Sequence, residues 1–317
     1  MPATTMRAVR FHAYGGPEQL VVERVPRPEP QTGEVLVRVH AAGVNPIDWK
    51  IRNGLMRASM PLPLPAIPGG DLAGTVEAIG PGVTTYARGE MVYGRGKASY
   101  AEYAVALADA LAPKPCNLTF DQAAAVPAGA RTAWVALFDL AGLHAGQRVL
   151  IHGAAGGVGN YAVQLARWKG AQVIGTASRD NLAFVHSLGA ETVIDYRVTP
   201  FERVVRDADV VVDVIGGETQ NRSWRVLKPG GILIAIGRPP EEEIAKQHGV
   251  RTVSTILGQR SPPQISIDPL PTISELLASG TMIPQVGAVF RLEDAKDAQV
   301  MGEEGHGRGR IVLHIAD

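Results

Sequence analysis

Through the first third of the chain, apolar and polar positions alternate in short runs broken by glycine and proline: MRAVRF, LVVERV, EVLVRVHAAGV, AGTVEAIGPGV, EMVYG and SYAEYAVAL. Alternation puts successive side chains on opposite faces, so the runs predict strands, with no amphipathic helix between them. In the third run Val35, Val37 and Val39 share one face while Leu36, Arg38 and His40 share the other. The proline-rich stretch 61–71 reads as a loop, because proline lacks the amide that a central strand needs. At Thr119 the pattern changes. Thr119 and Gln122 have the spacing of a capping box, and the alanine-rich segment after them predicts helix, interrupted near Pro127. Nearly unbroken apolar runs then start at Val149, Val173, Thr192, Val210, Ile232 and Thr252, with helix-compatible segments between them. Such runs suit strands buried on both faces, and six of them predict a doubly wound parallel sheet. The tail predicts a helix at 270–279, a strand near 286–290, another helix and a final strand at 310–315 that rejoins the N-terminal β region. The expected architecture is α/β in two domains: a β-rich domain from 1–122 and 262–317, and a sheet-and-helix domain from 123–261.

Composition narrows the function classes. The 317 residues carry 31 basic and 31 acidic side chains and are 45% hydrophobic, which excludes disorder and leaves no net charge to attract nucleic acid or anionic lipid. The single cysteine, Cys116, forms no internal disulfide and no thiolate-based zinc site. No apolar stretch has the length of a signal peptide core or a membrane span. These features predict a cytoplasmic protein.

Between the first run of the sheet domain and the next helix lies GAAGGVG (153–159), in which Ala154, Gly156 and Gly159 take the three glycine positions of a dinucleotide-binding turn. Alone that spacing is also met by ligand-free turns. Here a buried strand precedes it, a helix follows and a second strand arrives at the right distance, so it points to dinucleotide binding through Gly156, Gly157 and Val158. At the end of that second strand stand Ser178 and Arg179, a hydroxyl and a guanidinium suited to a 2′-phosphate, where an NAD enzyme presents a carboxylate. NADP(H) is therefore expected. Asp180 is open to three readings: a pair with Arg179, a ribose contact, or a first-turn helix residue. Tyr196, at the end of the third strand, closes the phosphate site or simply packs. The eight histidines form no H-x-x-x-H or H-E-x-x-H pair, no metal site is expected, and no Gly-x-Ser-x-Gly elbow marks a hydrolase. His152 abuts the turn and reads as a hydrogen-bonded strand-end residue.

The segments AAGVNPIDWKIRNG (41–54), IPGGDLAGTVEAIGPGV (67–83), GARTAW (129–134), GQRVLIHGAAGGVGNYAVQLA (146–166), SLGAETVIDY (187–196) and GRGRIVL (307–313) resemble the zinc-free branch of the medium-chain dehydrogenase/reductases. That branch holds quinone oxidoreductases and their alkenal and enone reductase relatives. Where zinc-dependent members place a cysteine and a His-Glu pair, this chain has Asn45 and then Gly70 with Asp71. The resemblance implies a GroES-like β-barrel domain plus a Rossmann domain, with the nicotinamide in the cleft between them. It further implies cofactor contacts from Thr132, Gly156 to Val158, Ser178, Arg179, Tyr196, Ile215, Ile236, Gly237 and Arg238, and a homodimer. Asn45 and Asp48 would shape the catalytic cleft, with Asp48 a partner for Arg52. Lys50 stands where bacterial quinone reductases often carry tyrosine, which draws the chain toward the enone reductases.

The expected chemistry is hydride delivery from NADPH to a quinone or to the β-carbon of an α,β-unsaturated carbonyl compound. Charge then develops on the carbonyl oxygen, and Lys50 is the candidate cation beside it. Two alternatives stay open: reduction of an enoyl thioester, which needs a basic patch for the carrier, and NADPH binding without turnover in a redox sensor.

Overall fold

The protein is described here by a computed structural model covering residues 5–236, 238–255, 268–305 and 307–317. In chain order the first elements are strands β1 (Thr5–Arg10), β2 (Val21–Pro26) and β3 (Glu34–Val44), helix α1 (Pro46–Arg52), and strands β4 (Asp71–Ile79), β5 (Met91–Arg95), β6 (Tyr103–Leu107) and β7 (Leu111–Pro113). Helices α2 (Phe120–Ala124) and α3 (Pro127–Trp134) follow, and a π-helical turn extends α3 through Val135–Leu140. Next come β8 (Arg148–Ile151), α4 (Gly159–Trp168), β9 (Gln172–Ala177), α5 (Leu182–Ser187), β10 (Thr192–Asp195), β11 (Ala208–Asp213), α6 (Glu218–Ser223), β12 (Leu227–Ala235), α7 (Glu242–Gln247) and β13 (Arg251–Ser254). The tail contributes α8 (Leu270–Ala278), β14 (Val286–Arg291), α9 (Ala295–Glu304) and β15 (Arg310–His314). Contacts divide the chain into two compact units, Met1–Ala128 with Leu270–Asp317, and Gly129–Pro269. Both divisions fall a few residues C-terminal of the expected boundaries.

In the first unit the strands hydrogen-bond in the order β14-β15-β3-β4-β5-β7, with β6 also paired to β3 and β1-β2 forming a separate ribbon. The last strand, β15, runs antiparallel to β3, so the tail completes the sheet begun at the other end of the chain. Val35, Val37 and Val39 face one core with Leu72, Val76, Val92 and Leu313. The opposite face of β3 is less polar in its surroundings than the alternation suggests. Leu36 and His40 are both buried, and the His40 ring stacks on Phe120 of α2 at 4.1 Å while its Nε2 meets the Thr75 hydroxyl.

Helix α1 corrects the reading of the N-terminal third as strands alone. Its start signals are local: Asn45 occupies the cap position, Pro46 the first turn, and the Asp48 carboxylate accepts the Asn45 backbone N–H at 2.8 Å. The helix holds seven residues, too few to show apolar periodicity between two long strands.

In the second unit six strands take the order β10-β9-β8-β11-β12-β13, every pair parallel. Val210 to Val212 pair with β8 on one side and β12 on the other, which explains an apolar run without alternation. Each such fully buried aliphatic side chain contributes about 1.5–3 kcal/mol. The order reverses between β8 and β11, and at such a switch point the strand carboxyl ends open a crevice for ligands. No helix among the described residues is long and apolar enough to cross a membrane.

Candidate functional site

The crevice of the second unit is built by the segments that follow β8 and β11. Gly153 leaves β8 with φ +61°, and a Cβ there would strike Val214 and Ile215 of the loop after β11. A Cβ on Gly159 would lie 2.2 Å from the Gly153 carbonyl oxygen, so only glycine lets α4 begin this close to the strand. Gly156 differs: a Cβ there would meet only the Gly153 oxygen, at 3.3 Å, leaving its outer side open. Among the described residues the amides of Gly157 and Val158 make no hydrogen bond. Open space and free amides at the start of a ten-residue helix fit a pyrophosphate. The start of α3 packs on this turn, since a Cβ at Gly129 would come within 2.6 Å of the Gly157 oxygen. Thr132, one turn further along α3, is half-buried.

On the other side of β8, the register sets Asp195 of β10 beside Ala177 of β9. Ser178, Arg179 and Tyr196 therefore leave neighbouring strands at the same edge, and the Tyr196 amide donates to the Ala177 oxygen at 3.3 Å. Arg179 and Asp180 are exposed and do not pair with each other; the Ser178 hydroxyl oxygen accepts from the Asn181 amide at 3.0 Å. The structure adds Arg197, whose guanidinium carbon lies 5.8 Å from the Tyr196 ring centre. Its sequence signal was a second cation directly after Tyr196.

Beyond the switch point, Asp213 ends β11 fully buried. Its carboxylate accepts from the backbone amides of Ile215 (2.9 Å) and Gly216 (3.0 Å) and from the Gln220 side chain (3.2 Å), which fixes the loop carrying the exposed Ile215. Ile236 is half-buried and Arg238 exposed past the end of β12, while Gly237 lies outside the described residues. His152 is locked beneath the turn. The Ser223 hydroxyl donates to the Thr219 oxygen, so it accepts from His152 Nε2–H at 2.9 Å, and Nδ1 accepts from the Thr176 hydroxyl at 3.1 Å. Burial pushes the imidazole down to about 4, so it is neutral and structural.

In the first unit Asn45, Asp48 and Lys50 come together on and before α1. Asn45 is buried and bonded on both ends of its amide: Nδ2 donates to Asp71 at 3.1 Å and Oδ1 accepts from Arg310. Asp71 is fully buried, and its Oδ2 also accepts from the Ala128 amide at 3.0 Å and from Arg310 Nη2 at 3.2 Å. Arg310 completes its contacts by donating Nε–H to the Ala125 oxygen at 3.1 Å. A guanidinium thus stands between the Asn45 and Asp71 side chains. Arg310 was missed as a site residue; its signal was an arginine opening an otherwise apolar strand. Among the described residues no group of three or more His, Cys, Asp or Glu is arranged to hold a metal ion.

Asp48 does not pair with Arg52. Its Oδ2 accepts from the Tyr100 hydroxyl at 3.0 Å and from Asn45 N–H, and burial pushes its carboxyl up to about 7 despite both donors. Arg52 instead bonds Glu303 of α9 and the Gly15 oxygen, because α1 packs against α9. Lys50 is half-buried, and its ammonium has no ion-pair or hydrogen-bond partner among the described residues.

Together, a β-rich domain built from both ends of the chain and a Rossmann sheet with a glycine turn at its switch point define a GroES-like plus Rossmann α/β protein. The family of the alcohol dehydrogenase GroES-like domain matches residues 31–116, and that of the zinc-binding dehydrogenases matches 188–313. Mouse quinone oxidoreductase is 34% identical over 325 residues, covering 97% of each chain. The solved quinone oxidoreductase of Coxiella burnetii is 34% identical, with TM-score 0.88 over 98% of this chain and 99% of that one. A mycobacterial protein solved in complex with NADPH is 30% identical, with TM-score 0.87 over 98% and 99%. The chain belongs to the medium-chain dehydrogenase/reductase family, in its quinone oxidoreductase branch, and is accordingly an oxidoreductase with a nicotinamide cofactor.

Replacing Arg310 with leucine takes the hydrogen-bonded cation from the buried Asp71 carboxylate and leaves only the half-exposed Arg95 guanidinium, 3.8 Å away, and the loss of stability should be about 3 kcal/mol. Calorimetric unfolding should show Arg310→Leu recovering part of that loss when Asp71→Asn is added. A double variant no more stable than the single one contradicts the pairing.

Proposed function

We propose that this protein reduces quinones or α,β-unsaturated carbonyl compounds with NADPH and without a metal. The observation that carries the reading is the Arg310 guanidinium held between Asn45 and Asp71. A divalent ion would have to displace a buried cation that already uses these oxygens, and neither a thiolate nor an imidazole is at hand to bind it. The acceptor class is supported by the quinone oxidoreductases among the relatives and by Lys50, whose ammonium has no partner among the described residues.

NADPH, when bound, supplies the hydride. The amides of Gly157 and Val158, with Gly156 leaving room, hold the pyrophosphate. Ser178, Arg179, Tyr196 and Arg197 hold the 2′-phosphate; no carboxylate ends β9, where one would select NAD. Thr132 serves the nicotinamide end, and Ile215, Ile236 and Arg238 line the groove. Lys50 stabilises the negative charge that develops on the acceptor oxygen. Asn45 and Asp48 fix the start of α1 and so the direction from which Lys50 approaches. Water supplies the last proton, since an enolate or hydroquinone anion is basic enough to take it. On the resemblance alone, the same reading makes the protein a cytoplasmic homodimer.

Following NADPH consumption with 1,4-benzoquinone, an alkenal and crotonyl-CoA tests the reading. Turnover of the first or second supports it; turnover of crotonyl-CoA alone, or none beside tight cofactor binding, overturns it. Arg179→Ala should weaken NADPH binding by about 1.5–3 kcal/mol and leave NADH little changed in calorimetric titration, whereas equal losses contradict a 2′-phosphate contact. Lys50→Ala should lower kcat by about 10²-fold in steady-state assays, and an unchanged kcat removes Lys50 from the chemistry.

A further inference from the structure

We propose that Tyr100 is a positioning residue, whose hydroxyl bond to Asp48 holds the start of the helix that carries Lys50. The inference rests on the reading above only for what Lys50 does to the acceptor. Asp48 stands in the first turn of α1 and is buried, and its Oδ2 accepts two bonds, from Asn45 N–H at 2.8 Å and from the Tyr100 hydroxyl at 3.0 Å. Both donors are neutral. The cations of the surrounding elements are engaged elsewhere. Arg310 of β15 is bound to Asp71, Asn45 and the Ala125 oxygen, and Arg52, on α1 itself, pairs with Glu303 of α9. Arg95 of β5 lies beyond Asp71, 3.8 Å from its Oδ1 and half-exposed. Asp71 of β4 is a second buried carboxylate that works against the charge on Asp48, while Arg310 works for it.

The Tyr100 hydroxyl is anchored from outside α1. Its ring packs on Gly69, where a Cβ would lie 2.4 Å from Tyr100 Cδ1 and 2.4 Å from Ser99 Oγ. The Tyr100 N–H donates to the Pro68 oxygen at 3.1 Å, and its own oxygen accepts from Val9 N–H of β1 at 2.9 Å. Gln299 of α9 acts on the same hydroxyl. Burial, then the charge on Asp48 and the bond to it, push the phenol well above its ordinary range, so Tyr100 stays a donor. Asp48 behaves differently. Burial raises its carboxyl to about 7, Asp71 adds to the rise, and the two donors and Arg310 oppose it. Above that pH a carboxylate caps Asn45 N–H; below it the charge is lost and the cap weakens. Taking away the Tyr100 donor removes a bond to a charged group, which raises the pH of this change by about 1–2 pH units.

The test follows two signals against pH in the unaltered protein, in Tyr100→Phe and in Asp48→Asn. One is kcat for 1,4-benzoquinone. The other is the fluorescence of Trp49, the residue after Asp48, taken as the difference from the same protein carrying Trp49→Phe. Trp49 lies against α9, where a Cβ on Gly302 would come within 3.0 Å of its ring, so its emission reports the seat of α1. Both signals should change with a midpoint at about pH 7 in the unaltered protein, kcat being higher on the alkaline side. Tyr100→Phe keeps the ring and should move both midpoints up by about 1–2 pH units, with kcat recovering at alkaline pH. Asp48→Asn should abolish both transitions. A Trp49 transition that is absent from the unaltered protein, or that Tyr100→Phe leaves in place, overturns the proposal, as does a kcat lowered by the same factor at every pH beside an unmoved Trp49 midpoint. If the Trp49 midpoint moves as expected and kcat does not follow it, Tyr100 stands as the residue that holds α1 and the role given to Lys50 fails.

Discussion

A buried charge pair organises the first unit. Burying the Arg310 guanidinium and the Asp71 carboxylate costs several kcal/mol per ion unless geometry and further hydrogen bonds compensate. Here the compensation comes from Asn45 before α1, Ala128 at the start of α3, and the Ala125 oxygen after α2. The pair can be satisfied only when β15, β4, the end of β3 and α2 have all assembled, so one interaction reports on the completeness of the first unit. The oxygens of Asn45 and Asp71 are thereby spent on a guanidinium, and the metal-free chemistry proposed above rests on that arrangement.

The second unit solves a different problem, that of leaving backbone amides open at a glycine turn without burying unsatisfied groups. Close approach at Gly159 starts α4 against the strand, and the openness at Gly156 leaves the next amides free. Asp213 and His152 hold the flanking strand ends from beneath, one by accepting amides and the other through a neutral imidazole between two hydroxyls. Neither residue faces a substrate in this arrangement; both keep the turn rigid.

Local patterns and long-range contacts differ sharply in how well the sequence discloses them. The six strands of the parallel sheet were legible because burial on both faces leaves an unbroken apolar run, and the glycine turn because Gly153 and Gly159 answer a steric demand and Gly156 leaves open space. Helix α1 was readable only from Asn45, Pro46 and Asp48, since seven residues carry too little periodicity. Arg310 carried only a faint local signal, an arginine opening an apolar strand, and its partner Asp71 lies 239 residues away, so the pair could not be read from the sequence. Asp48 beside Arg52 was misread for a related reason, since adjacency on a helix says little about which neighbour a packed helix, here α9, will supply.

The account depends on hydride transfer in which fixed cations do the work of a metal ion, and this is measured by stripping the enzyme with a chelator, determining its residual metal content, and following NADPH oxidation with 1,4-benzoquinone. The account predicts full turnover at a metal content far below one ion per chain. Activity that disappears with the chelator and returns with added Zn²⁺ would contradict it.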